Sequence, residues 1–303
     1  MTAIKENQSP NYGGTVGHWI FHQALRFFGP TFAYVLLMFV VPYYVIFRKS
    51  ARNSASYYLK HRFPNDGAFK RFFKTILYFY KFGIVQIDQA AIGILGKEKF
   101  MIDFPNWEEF LEFSKKSKGF ILLTSHVGSW QTAMATMENL EKQVYFHFQL
   151  EPHTAGRHFF DLAKKQNNMN IINPAGFLGG SIEMANVLKT GNCVAIMGDR
   201  SWGARTQMHS FLGEDSHFPI TPYYIASATQ SDIVMLQTVR TGKLSFRIEY
   251  IYLTAGVDLS KLSRNVATDL LLKRYVQHLE DYLQKNPYMW FNFYDFWDNK
   301  KRR

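Results

Sequence analysis

Between Phe27 and Phe47 the chain carries no charged residue. As one helix this stretch is about 31 Å long at a rise of 1.5 Å per residue, close to the thickness of a bilayer core. A segment of that kind is either wrapped by protein or faces lipid, so it limits every fold open to the rest of the chain. Gly29, Pro30 and Pro42 interrupt it. Pro30 suits a helix start, whereas Pro42 predicts a kink at the far end. No small-residue cleavage site follows, so the segment does not read as a secretory signal. The next residues favour lipid. Arg48, Lys49, Arg52, Lys60, Arg62, Lys70, Arg71, Lys74 and Lys81 are set against a single acid, Asp66, and aromatic rings such as Tyr57, Phe69, Phe73 and Tyr80 are interleaved among them. Helices of this composition lie in an interface, with rings in the acyl region and cations at the headgroups. The positive-inside rule then puts everything beyond Phe47 in the cytoplasm. Across the chain Lys plus Arg outnumber Asp plus Glu by 35 to 24, a net charge of +11. That surplus suits anionic membrane lipids, an acidic carrier or nucleic acid. An RNA-binding surface leaves the apolar stretch without a use, so no nucleic-acid partner is expected.

The pattern divides the chain. Residues 1–14 are polar and read as a flexible tail. Residues 15–96 read as an N-terminal helical, membrane-associated region: an amphipathic helix around His18 to Phe28, the apolar anchor over 27–47, and a basic aromatic pair split by the turn Pro64-Asn65-Asp66-Gly67. From Lys97 onward strands and helices alternate. Strands are expected at Phe120 to Thr124, Val144 to Leu150, Met169 to Ile172, Cys193 to Met197, Ile233 to Arg240 and Ser245 to Tyr252. Helices are expected at Gln131 to Leu140, Ala155 to Gln166, Gly180 to Lys189, Thr221 to Thr229 and Leu262 to Lys285. The alternation predicts βαβ units, hence an α/β domain over 97–303 with a mostly parallel central sheet flanked by helices. Thr241-Gly242-Lys243 joins the last two strands as an antiparallel hairpin. Cys193 is the sole cysteine and reads as a small core residue. Without CxxC or HExxH spacing, no metal site is expected.

The apolar run Phe120 to Leu123 leads into Thr124-Ser125-His126-Val127-Gly128-Ser129, after which Trp130-Gln131 opens a helix. A histidine at the carboxyl end of a buried strand, beside a helix start, sits where open α/β sheets place their chemistry. With an ordinary pKa of about 6.5, neutral imidazole can take a proton from a hydroxyl near neutral pH. Gly128 supplies a close backbone approach or a positive φ before the helix, and Ser129 fits an N-cap. Arg200, at the end of Cys193 to Met197, would share the sheet edge with His126, and its fork of donors suits a phosphate or a developing oxyanion. Arg157 and Arg205 are further candidates for a headgroup or phosphopantetheine phosphate. His147, His153, His158, His209 and His217 lack ligand spacing.

His126, a four-residue spacer and the polar Gln131 together resemble the acyltransferase motif of the lysophospholipid acyltransferase superfamily, most closely its bacterial lipid A late acyltransferase branch. Met197-Gly198-Asp199-Arg200 is similar to the second motif of that family. Phe211-Leu212-Gly213, with Phe218-Pro219-Ile220-Thr221-Pro222, is similar to its third block, a loop running into a helix. Trp290-Phe291-Asn292-Phe293-Tyr294-Asp295-Phe296-Trp297 resembles the aromatic C-terminal signature of one branch. The resemblance implies a membrane-bound acyltransferase that moves a fatty acyl chain from acyl-ACP or acyl-CoA, as co-substrate, to a hydroxyl or amine of a lipid or glycolipid. It implies His126 as general base, an orienting acid five positions on, no metal or redox cofactor, and a site at the cytoplasmic face of the bacterial inner membrane. An acidic acyl carrier protein matches the +11 balance. Asp199, Arg200, Gly128, Arg157 and Arg205 are then the expected substrate-binding residues. The pattern departs at Gln131, whose amide can hydrogen-bond an imidazole but brings no charge to the developing cation. Three outcomes stay open. Gln131 orients His126 through its carbonyl oxygen; or another carboxylate, Glu138 or Asp199, approaches His126; or catalysis is lost and the protein only binds lipid or acyl carrier.

Overall fold

The computed structural model describes residues 14–96, 99–148, 169–200 and 205–298. Three helices come first: α1 (Gly14–Phe47), α2 (Lys49–Arg62) and α3 (Ala68–Leu95). The amphipathic and apolar helices, expected as two elements, are the two helical stretches of α1, which meet at a kink. Its one departure from helical dihedrals is Gly29, at φ 75° and ψ 178°, a conformation that a side chain would strain. Pro42 sits inside the same helix. Leu25, Ala33, Leu37, Val41 and Val45 are buried. Beyond the kink, Ala33, Leu37, Val41 and Val45 recur every four residues, so they form one stripe. The stripe packs on α3, where Gly83 leaves the room: a Cβ there would stand 2.6 Å from Leu37 Cδ2. The rest of α1 stays bare, with Phe27, Phe28, Met38, Phe39, Tyr43 and Phe47 all strongly exposed.

The sheet strands are β1 (Met101–Asp103), β2 (Phe120–Thr124), β3 (Val144–His147), β4 (Met169–Ile172), β5 (Cys193–Met197), β8 (Asp232–Gly242) and β9 (Ser245–Tyr252), while β6 (Thr206–Phe211) and β7 (Glu214–Pro219) form a separate hairpin. The spatial order is β1-β9-β8-β2-β5-β3-β4. All neighbours run parallel except β8 and β9. The expected mostly parallel α/β sheet is therefore what forms. Helices α4 (Trp107–Lys116), α5 (Trp130–Thr136), α6 (Ser181–Lys189), α7 (Thr221–Thr229) and α8 (Arg264–Lys285) flank it. On β2, Ile121 and Leu123 join one apolar cluster and Phe120 and Leu122 the other. A strand buried on both faces reads as a continuous apolar run, which is why its bounds were legible. The larger cluster runs unbroken from Leu25 of α1 to Trp297, so the N-terminal helices share one core with the sheet. A polar clamp adds to this. Tyr34 of α1 donates to the buried Asp88 of α3, and Arg240 of β8 donates Nε–H to the other carboxylate oxygen at 2.8 Å.

The third block, expected as a loop, is the β6–β7 hairpin. Leu212 and Gly213 at its turn have φ of 53° and 86°, the left-handed pair that a two-residue hairpin turn requires. The expected helix Ala155 to Gln166 and the end of the expected strand at Leu150 lie outside the described residues. β1 is too short for its period to show in sequence.

Candidate active site

The register of the sheet builds the site. β2 and β5 pair in parallel from Phe120 with Cys193 through to Thr124 with Met197. Two residues further along each strand lie His126 and Asp199, so the pairing that aligns the apolar runs also sets these two side by side. Gly198 makes the approach possible: its N–H donates to Thr124 O at 2.9 Å, and a Cβ there would stand 2.8 Å from the Tyr275 ring.

Asp199 is fully buried and accepts three N–H groups. The His126 ring meets Oδ1 through Nδ1 at 2.8 Å, while Oδ2 receives the His126 backbone N–H and the Trp290 indole N–H, each at 2.9 Å. Burial alone pushes this carboxyl up, but His126, the Arg200 charge and the Trp290 N–H outweigh it and hold the group at about 2. Burial and then the Arg200 guanidinium push His126 below the ordinary imidazole value, against the pull of Asp199. Near neutral pH the pair is therefore carboxylate and neutral imidazole. A carboxylate accepts only, so Nδ1 carries the proton and Nε2 keeps its lone pair. The His126 side chain retains 18% exposure, enough to reach a reactant.

Gln131 lies elsewhere. Its carbonyl oxygen accepts from Gln89 Nε2 of α3 at 2.6 Å, and no hydrogen bond joins it to His126 among the described residues. The expected orienter thus ties the first turn of α5 to α3, and the second of the three open outcomes is the one the geometry realises, through Asp199. Asp199, expected to bind substrate, faces the imidazole from inside the protein. Arg200 donates Nη2–H to Phe291 O at 2.9 Å and lies over the Tyr294 ring at 5.6 Å. Arg205 is exposed at the start of β6, Arg157 lies outside the described residues, and nothing is described of the Glu138 side chain. Ser129 precedes α5, but its hydroxyl meets Thr132 Oγ1 at 2.8 Å rather than a backbone N–H.

Gly128 has φ +54°, and a Cβ on it would stand 2.1 Å from Thr238 O. Gly128→Ala is expected to lower stability by about 3 kcal/mol, since both the dihedral and a backbone clash oppose it. A urea midpoint indistinguishable from wild type would contradict this.

Trp290 is the residue that sequence reasoning missed. In sequence the aromatic C-terminal segment shows only a family resemblance, yet its backbone straps the His126 turn. Gly128 N–H donates to Met289 O at 2.8 Å, and Phe291 N–H donates to His126 O at 3.0 Å. The signal was present in the indole itself, which seeks an acceptor when buried. Beside the turn, Thr124, Trp130, Met134, Phe146, Ala195 and Ile196 line a narrow apolar cavity of about 20 Å³. Among the described residues no three His, Cys, Asp or Glu side chains converge as a metal set would.

The family model described as bacterial lipid A biosynthesis acyltransferase matches residues 3–298. Among solved structures, the 1-acyl-sn-glycerophosphate (LPA) acyltransferase PlsC from Thermotoga maritima is similar at 10% identity and a TM-score of 0.40, over 84% of this chain and 98% of that one. No curated protein matches significantly.

Proposed function

Because this chain belongs to the bacterial lipid A biosynthesis acyltransferase family and is thus an acyltransferase acting on lipid substrates, we propose that His126 is its general base and Asp199 the carboxylate that orients it. The carrying observation is the 2.8 Å contact between His126 Nδ1 and the buried Asp199 Oδ1. Nε2 removes the proton of an acceptor hydroxyl as that oxygen attacks the thioester carbonyl carbon of acyl-ACP or acyl-CoA. The tetrahedral oxyanion collapses, the C–S bond breaks, and the imidazolium returns the proton to the leaving thiolate. The products are an acyl ester and a free thiol. Arg200, next to the dyad, is suited to stabilise the oxyanion or a phosphate.

The protein works at a membrane surface in this reading. α1 has one candidate membrane-length apolar segment, Trp19–Phe47, and only 28% of an 18-residue apolar window within it is covered by the rest of the protein. The core helix of a soluble domain is covered all round. Its buried stripe and the Tyr34–Asp88–Arg240 clamp hold α1 along the domain, which favours a helix lying in the interface over one crossing alone. The basic residues after Phe47 favour the cytoplasmic face of the bacterial inner membrane. A catalytically silent binder on the same fold has less support, because the charge missing at Gln131 is supplied by Asp199.

The test gives the protein, in mixed micelles, a radiolabelled acyl thioester and a panel of lysolipid and lipid A-like acceptors. Labelled lipid is expected with wild type and not with His126→Ala. Equal transfer by both would overturn the assignment of the base.

A further inference from the structure

We propose that Trp290 is a positioning residue of the acyl-transfer site, its indole N–H holding Asp199 in the one orientation that serves His126. The proposal rests on the dyad reading above. A carboxylate can rotate and can take a proton on either oxygen, and both events would spoil its partner's tautomer. Here Oδ2 is occupied by the His126 backbone N–H and the Trp290 Nε1–H, each at 2.9 Å, which leaves Oδ1 for the imidazole. An indole is a donor only: it cannot take the proton or offer a lone pair to Nδ1. Water does not substitute, because Asp199 is fully buried and Trp290 is 1% exposed.

The indole is itself fixed from several sides. Tyr78 of α3 donates its hydroxyl to Trp290 O at 2.5 Å and accepts Asn292 N–H at 3.0 Å. Val127 and Trp290 form an antiparallel bridge. The Trp290 ring stands edge-on to Tyr58, Phe211 and Phe296. The C-terminal segment thus does two jobs: its backbone pins the His126 turn, and one side chain reaches beneath that turn to the acid. Among the described residues the other titratable or charged groups facing the dyad are Arg200, Tyr223 and Tyr275, and burial pushes both phenols up. Asp199 and Arg200 are therefore the charged groups around the His126 imidazole, and Trp290 is the neutral donor among them.

The adjacent sequence provides a matched control. Trp297, on the same segment and 5% exposed, donates its indole N–H to Phe211 O at 3.1 Å, away from the dyad. Trp290→Phe and Trp297→Phe each remove one buried indole bond from the full-length enzyme. Trp290→Phe is expected to lower kcat about 10- to 100-fold, the usual loss when a residue that orients a catalytic ligand is removed, with KM within about twofold. Its acid limb moves to higher pH, since a carboxylate with one donor fewer stabilises the imidazolium more. Trp297→Phe is expected to lower Tm comparably while kcat and the acid limb stay put. Equal kcat losses in the two variants with unmoved acid limbs would overturn the proposal. If Trp290→Phe does not fold, a benzothiophene analogue of the Trp290 side chain keeps the ring volume and lacks only the N–H, with the same expectation. The His126 imidazole titration followed by NMR separates the two readings. Should His126→Ala retain transfer, the base assignment falls, whereas a titration unmoved by the loss of the Trp290 N–H removes the role of Trp290 alone.

Discussion

Asp199→Asn is expected to lower kcat by about four orders of magnitude, to the level of His126→Ala. The side chain keeps its shape, so the loss is chemical. The carboxylate accepts three N–H groups, and an amide cannot. With its oxygen toward Nδ1, the Asn NH2 would meet the His126 and Trp290 N–H groups donor against donor. Turned over, it satisfies those two and presents NH2 to Nδ1, which forces the proton onto Nε2 and removes the base. The same acid-to-amide change in the serine-protease triad costs about 10⁴ through the wrong tautomer, equivalent to about 5 kcal/mol in the barrier. The pH dependence carries a matching sign. His126 is held below the ordinary imidazole value by burial and Arg200, so wild-type transfer should be level at pH 7 and fall only as the pH drops through that lowered value. The acid limb thus lies below 6.5. In Asp199→Asn the opposing pull of the carboxylate is gone, and the His126 titration moves further into acid. Activity above a tenth of wild type in Asp199→Asn would remove Asp199 from the mechanism.

The paired substitution Phe28→Glu and Phe39→Glu is expected to cut partitioning onto anionic phospholipid vesicles at least about 100-fold, each site losing an aromatic anchor and gaining a charge worth a few kcal/mol at the lipid boundary. Both rings are strongly exposed, at 68% and 73%, so the core beneath them is untouched and the Tm should hold. Flotation at high salt isolates the apolar contribution, since surface charge is then screened. Unchanged flotation in the double variant would show that the bare face of α1 does not meet lipid.

The elements around the site were unusually legible. β2, β4, β5, β9 and α7 have the bounds their sequence pattern predicts; for β2 and β5 the reason is that buried parallel strands are short apolar runs closed by turn residues. α1 was legible as an apolar helix, and its Gly29 as a breaking point. The β6–β7 hairpin was missed because it alternates weakly and reads as a loop of His, Ser and Gly. Gln131 misled for a different reason. The motif resemblance pairs it with His126, but Gln89 of α3 donates to its carbonyl oxygen instead.

By itself the sequence determined a buried strand ending in His126, a second ending in Asp199 and Arg200, and an uncharged helix ahead of them. It could not determine that those two strands lie side by side. They are separated in the chain by β3 and β4, and local pattern holds no information about which strand pairs with which. Only the tertiary structure inserts β5 between β2 and β3 in the register that matches Thr124 with Met197. That register brings Asp199 to His126, and the C-terminal strap brings Trp290 to Asp199. The proposed proton transfer needs its groups within hydrogen-bond reach, and here that reach is set by long-range pairing rather than by spacing along the chain.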